Sequence, residues 1–424
     1  MAARRVLRVR GSVSTHAATG EPRTQASARS RRKLMRRHLP RRLTVLLPVL
    51  GTIALALCGL LVFGLVTDNV GVVPFAVGTV AALLPVAVVV AAFLWIDRWE
   101  PEPAKLLLVA FFWGACVATL TALLLNSTAE EVGDLLLGSG QGSRFSAIVS
   151  APLVEEAVKA LFVLAVLWRR TREFDGVVDG IVYAGITAAG FAFTENIYYF
   201  ARAFDENGLG GATGEGVLTA FILRGVLAPF THPLFAVLTG IGIGLAARTA
   251  SRKVRYLAPL GGYAAAVALH ALWNAAATLG GADTFLNVYF LIMVPMFVCV
   301  LLLVLWQRRR EQRVVADALP DMAAARWIAR SEVELLASLS GRRFWRRQAA
   351  RESGRRAARA VAAYQATVTE LAFLRSNDAA GVAGPDAPRR QEELLTVLGM
   401  ARAEAVRAAS GSSSKDVRAN GTTG

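Results

Sequence analysis

Long apolar runs dominate the chain, separated by short polar breaks. Eight stretches, near residues 43–66, 71–96, 104–126, 146–168, 177–200, 217–247, 256–279 and 284–306, are long enough to cross a hydrocarbon layer. That crossing is roughly 30 Å and takes about 20 helical residues. Inside a bilayer the backbone must satisfy its own hydrogen bonds, so runs of this length predict helices. The fold class is therefore all-α: a polytopic membrane bundle of about eight transmembrane helices. The sixth stretch carries Pro229 and Pro233, which predict a kink or break. Beyond residue 306 the pattern changes to Ala, Arg, Glu and Leu at helical spacing, over 321–339, 343–375 and 389–408. Four regions follow from this. Residues 1–42 form a basic disordered leader, 43–306 the membrane domain, 307–409 a solvated helical tail, and 410–424 a Ser/Gly-rich disordered end.

Charge sharpens the picture. The 424 residues are 54% hydrophobic and only 18% charged, yet the net charge is +16. Residues 1–42 hold 13 Lys/Arg and one acid, residues 307–424 hold 21 Lys/Arg and 13 acids, and the stretch between them has a net charge of −4. The basicity thus sits in two tails that flank an apolar core, which argues against a soluble enzyme and against nucleic acid as partner. The connections alternate in the same sense. Residues 127–145 and 201–216 hold Arg144 and Arg202 among several acids, whereas the intervening connections carry Arg169, Arg170, Arg172, Arg248, Arg252, Lys253 and Arg255. The positive-inside rule then puts both termini in the cytoplasm. Basic tails beside a membrane also predict contact with anionic lipid headgroups. The first apolar run is too long, and too far from the start, to be a cleavable signal peptide. Cys58, Cys116 and Cys299 all fall in apolar stretches and read as buried small hydrophobes.

Ionisable residues at membrane depth are expensive, roughly 2.5–3.5 kcal/mol each on insertion scales, so the few present are informative. They are Glu155, Glu156 and Lys159 in the fourth span, Glu195 with Asn196 in the fifth, Arg224 and His232 in the sixth, and His270 with Asn274 in the seventh. Glu155 and Lys159 share a helix face, as do His270 and Asn274. At about 1.5 Å per residue, Glu155, His232 and His270 all lie about 20–22 Å from the cytoplasmic edge, with Glu195 at about 27 Å and Lys159 at about 13 Å. Four helices thus deliver carboxylates and imidazoles to one layer in the outer half of the membrane. A carboxylate beside an imidazole can hold and deprotonate water, and a second His with an Asn can donate to an oxyanion. Alternatively, two His with one or two carboxylates, drawn from Glu155, Glu195, His232 and His270, can coordinate zinc. Lys159 is expected to neutralise one glutamate of the pair. Arg224 receives no role.

The motifs carry a family resemblance. In order they are Glu155-Glu156-Ala157-Val158-Lys159, then Phe191-Ala192-Phe193-Thr194-Glu195-Asn196, then His232, then His270-Ala271-Leu272-Trp273-Asn274. This set resembles the PrsW family of intramembrane proteases, whose pattern reads EExxK, FxxxEN, a lone His and HxxxN. The segment Asp97-Arg98-Trp99-Glu100-Pro101-Glu102-Pro103 and the pair Asp179-Gly180 are similar to that family too. The resemblance covers about residues 90–300. It is related in turn to the CAAX-processing and bacteriocin-processing membrane proteases. It implies Glu155 as general base with Glu156 second, and the later His with Asn274, the Asn of the HxxxN motif, as oxyanion stabilisers. Glu195 stands where the wider group has His, which leaves open whether Glu195 or His232 partners Glu155. The implied activity is peptide-bond hydrolysis in a membrane-anchored protein near the external face. The family's best-known substrate is an anti-sigma factor, and its setting is the bacterial cell membrane.

Two other classes fit parts of the pattern. A proton-coupled transporter would need a polar path through both leaflets, but the inner halves of spans four to seven are almost wholly apolar apart from Lys159. A catalytically silent scaffold would use the polar cluster only to hold helices. On cofactors, the donor set has a weak preference for zinc over hydrogen-bonded water, so the expectation leans towards a metal-free site, with Zn2+ as the alternative.

Overall fold

A computed structural model describes residues 41–169, 174, 176–210, 216–249, 251–381 and 386–410. The disordered leader and end expected from the sequence lie outside these residues, except for 41, 42 and 410. By its contacts the chain divides after Ala54, and Leu55 onward forms one unit.

All regular structure among the described residues is helical. The first eight helices are α1 (Arg41–Val70), α2 (Val72–Ile96), α3 (Ala104–Leu137), α4 (residues 142–169), α5 (Val177–Asn207), α6 (Val217–Ala247), α7 (Arg252–Leu279) and α8 (Gly281–Ala324). All but α4 and α7 contain a stretch long and apolar enough to cross a membrane. The polypeptide is therefore a multi-pass membrane protein. In α4 and α7 the apolar run is interrupted by the residues of chemical interest, Glu155, Glu156 and Lys159 on one and His270 on the other. α6 is broken as its two prolines require: residues 217–227 end in a turn, and Thr231–Ala247 resumes with Pro233 in its first turn. Short π-helical stretches interrupt α3 at Trp113–Ala118, α4 at Ser146–Ser150, α6 at Phe221–Leu227 and α8 at Tyr289–Met293.

α5 is the axis of the bundle. It packs against α2, α3, α4 and α6 and is the most enclosed of the apolar helices. Lipid supplies no hydrophobic drive between helices, so close approach depends on small residues. Gly180 and Gly240 abut each other's carbonyls where α5 crosses α6, and Gly190 and Gly114 sit against the backbones of Phe111 and Thr187 where α5 meets α3. A Cβ at any of these four positions would collide with backbone. Gly190 precedes Glu195 by five residues on α5, so the crossing with α3 is tight close to the polar residues.

The C-terminal region differs from the solvated tail expected. α8 continues past the apolar run to Ala324, and α9 (Val333–Leu336), α10 (Leu339–Ala379) and α11 (Ala387–Ser410) follow. The helix predicted over 321–339 is instead the end of α8, a turn with Arg326 at φ 61°, a short 3-10 stretch and α9. The reason is a core. Leu319, Met322, Ile328 and Leu336 must all reach Tyr364, Leu371 and Leu398, and a straight helix could not deliver them to one side. Trp99, from the loop between α2 and α3, is buried in that same core, with the Arg342 guanidinium 5.0 Å from its ring. The helical domain is thus anchored on the end of the helix bundle that carries the loop between α2 and α3.

Candidate active site

α4 brings Glu155, Glu156 and Lys159 to the face that looks at α5, α6 and α7. Lys159 is fully buried, and its Nζ donates to Glu156 Oε1 at 2.9 Å and lies 3.6 Å from Glu155 Oε2. It therefore balances both glutamates, where the spacing alone suggested one. The same Nζ sits 4.0 Å from the centroid of Phe191, a cation–π contact that explains the aromatic residue four positions before Glu195.

Both intramembrane histidines are held by carboxylates. His270 Nδ1 lies 3.1 Å from Glu156 Oε1, and its Nε2 lies 4.0 Å from Glu155 Oε2. His232 Nε2 lies 2.6 Å from Glu195 Oε2, while its Nδ1 is 3.3 Å from Lys159 Nζ. The two rings are 5.2 Å apart, and Phe235 stacks on His270. An ionised carboxylate only accepts, so each His presents its N–H to its glutamate; the other nitrogen then faces Glu155 in His270 and Lys159 Nζ in His232. Ligand atoms of Glu155, His232 and His270 lie within 4.8 Å of one another.

Four of the sequence candidates stand elsewhere in the network. Glu195 does not join the central group. It bridges His232 and Arg224, whose Nη2 donates to Oε2 at 2.6 Å. Asn196 Oδ1 accepts from Arg224 Nε at 2.9 Å. Asn274 Nδ2 donates to the Ala147 carbonyl at 2.8 Å and braces α7 against the π-helical turn that precedes Glu155. Glu156 serves His270 and Lys159. Sequence reasoning passed over Arg224. Its signal was its cost, because an arginine at that depth needs a partner.

The donor set suits a divalent metal on two grounds. Glu155 Oε2 and Glu156 Oε2 are buried acceptors without a hydrogen-bond partner, the kind of atom a cation satisfies. Two imidazoles and a carboxylate, each His backed by a second carboxylate, also match the donor types and outer support of catalytic zinc sites.

The motif residues in the loop after α2 and at the start of α5 form a separate staple. Asp97 Oδ2 accepts from the Glu102 amide at 2.9 Å, Glu102 Oε2 accepts from the Tyr183 hydroxyl at 2.6 Å, and Asp179 Oδ2 accepts from the Gly176 amide at 2.8 Å. The Glu102–Tyr183 bond ties the loop after α2 to α5, and the other two fix the loop and the start of α5 locally.

Residues 102–300 match the family described as PrsW family intramembrane metalloprotease. Protease PrsW of Geobacillus kaustophilus (strain HTA426) is 31% identical over 176 residues, which cover 42% of this chain and 69% of that protein. The chain belongs to the PrsW family. Protease PrsW of Bacillus subtilis (strain 168) is 29% identical over 178 residues, 42% of this chain and 72% of the relative. The Oceanobacillus iheyensis (strain DSM 14371 / CIP 107618 / JCM 11309 / KCTC 3954 / HTE831) protein of that name is 25% identical over 225 residues, 53% of this chain and 91% of the relative. No solved structure matches. The chain is accordingly an intramembrane protease of a family described as metallopeptidases, with Glu155, His232 and His270 placed as a possible metal-binding triad. The helical domain after residue 300 lies outside the family match.

Proposed function

We propose that this PrsW-family protein cleaves a membrane-anchored protein in the outer half of a bacterial cell membrane, with all eight helices α1–α8 crossing it and both termini in the cytoplasm. The observation that carries the site is the meeting of Glu155, His232 and His270 within 4.8 Å, from three different helices. Glu155, His232 and His270 would hold the metal, and zinc is the ion their chemistry favours. When bound, such an ion polarises the scissile carbonyl and acidifies water.

The chain's own residues do the rest. A water beside Glu155 is the nucleophile, and the Glu155 carboxylate takes its proton as it attacks the carbonyl carbon. The C–N bond breaks, and the proton passes from Glu155 to the leaving nitrogen. Glu156 and Glu195 fix the two rings. Lys159 and Arg224 offset the charge of three carboxylates, leaving a net −1 with neutral histidines, a field that favours a divalent cation. Asn274, as placed, braces the helices, and the Asn donor role implied by the family resemblance is assigned here to no residue.

The substrate we favour is a single-span anti-sigma factor, in keeping with the best-known role of the family that this chain resembles. Co-expression of candidate single-span substrates with the wild type, Glu155→Gln and His270→Ala tests the reading. Cleavage by the wild type alone is expected, and undiminished cleavage by both variants would remove the proposed site.

A further inference from the structure

Arg224 reaches the site from an unusual backbone. It lies in the π-helical stretch Phe221–Leu227, of which no residue is buried. π-helical turns inside α-helices recur at functional positions, because the extra residue re-aims the side chains around it. An arginine free in hydrocarbon would extend towards the headgroups. Here the guanidinium turns inward and is fixed three ways on one face of α5. Nη2 donates to Glu195 Oε2 at 2.6 Å, Nε donates to Asn196 Oδ1 at 2.9 Å, and the planar group lies 3.9 Å over the Tyr199 ring.

The Glu195 oxygen that accepts from Arg224 is the same atom that lies 2.6 Å from His232 Nε2. Glu195 has three side-chain torsions and is 23% exposed, more than any other carboxylate of the site. Without a fixed partner it would turn to the open side, and His232 would lose the acceptor that sets its ring. We propose that Arg224 is a positioning residue of the protease: by locking Glu195 on Nε2 it fixes the His232 ring beside Lys159, Glu155 and His270. This rests on the reading of His232 as part of the active site. A lysine could restore the charge, but not the planar fork that grips Glu195 and Asn196 together while stacking on Tyr199.

The test uses the full-length protein in detergent, with Arg224→Gln, Arg224→Lys and Asn196→Ala beside Glu155→Gln and His232→Ala. Zinc affinity is read by chelator competition, kcat and KM on a fluorogenic single-span peptide, and folding by the thermal midpoint. Arg224→Gln is expected to weaken zinc binding by about 10–100-fold, the usual effect of losing outer support for a ligand. Its kcat should fall by a similar factor with KM within about twofold, since positioning acts on the reacting groups and not on substrate binding. Arg224→Lys should recover part of both losses, and Asn196→Ala should show a smaller loss of the same kind. Wild-type zinc affinity and kcat in Arg224→Gln, with both lost in Glu155→Gln and His232→Ala, would overturn the role of Arg224 and leave the site standing. Wild-type behaviour of Glu155→Gln and His232→Ala would overturn both. If Arg224→Gln fails to fold, Arg224→Lys and Asn196→Ala decide, and wild-type values in the pair would overturn the proposal.

Discussion

Glu156 Oε1 lies 3.1 Å from His270 Nδ1, which joins α4 to α7 and leaves the ring's Nε2 facing Glu155. Glu156→Gln keeps the size of the side chain but removes the charge that fixes the imidazole. Zinc affinity or cleavage rate is expected to fall by about 10–100-fold. Chelator competition on the purified protein measures it, and an unchanged affinity would assign Glu156 to charge balance with Lys159 alone.

Metal removal separates the two chemistries left open by the sequence. Exhaustive chelation is expected to abolish cleavage, and zinc is expected to restore it. The fold should survive, because Lys159 and Arg224 already offset two of the three carboxylates. Cleavage that persists in fully chelated protein would return the site to a hydrogen-bonded water with Glu155 as its base.

Gly190 tests the helix crossing that carries Glu195. A Cβ there meets the Phe111 carbonyl of α3, and neither backbone can yield without moving a helix. Gly190→Ala is expected to destabilise the bundle by about 1–3 kcal/mol, the usual cost of overpacking a tight core. The thermal midpoint in detergent reports it. Gly261→Ala, where a Cβ meets nothing within 4 Å, is the matching control and should leave the midpoint unchanged.

The Asp97 staple carries a pH dependence. Burial pushes the Asp97 carboxyl up to about 7, with Asp179 adding to the rise and the Glu102 amide opposing it. An unfolded aspartate titrates near 3.9, so from about pH 4 to about pH 7 the folded form keeps a proton that the unfolded form has lost. Stability from this group is therefore greatest at the acid end and falls as pH rises through about 7. Thermal midpoints from pH 5 to pH 8 should decline, and Asp97→Asn should flatten that slope. An equal slope in the variant would place the titration elsewhere.

Much of the site was legible because membrane burial makes polar residues rare and costly. Glu155, Glu156, Lys159, Glu195, His232 and His270 stood out by that cost, and they form one network in which Glu195 is reached through His232. Arg224 carried the same signal, yet nothing in its spacing pointed to Glu195 on another helix. Asn274 was legible as a polar residue one turn from His270, but its bond to Ala147 depends on the π-helical turn before Glu155, which has no signature in hydropathy.

By itself the sequence determined the helical class, the apolar spans and the list of side chains that had to find partners, because those follow from hydrogen-bond satisfaction and desolvation along a single chain. Only the tertiary structure decided which nitrogen of each histidine meets its glutamate, that Lys159 serves two glutamates, and that Glu195 stands behind His232 instead of beside Glu155. It also decided that the basic tail folds on Trp99. Such choices depend on distances between helices remote in sequence, and those are set by the small-residue crossings around α5 that no local pattern encodes.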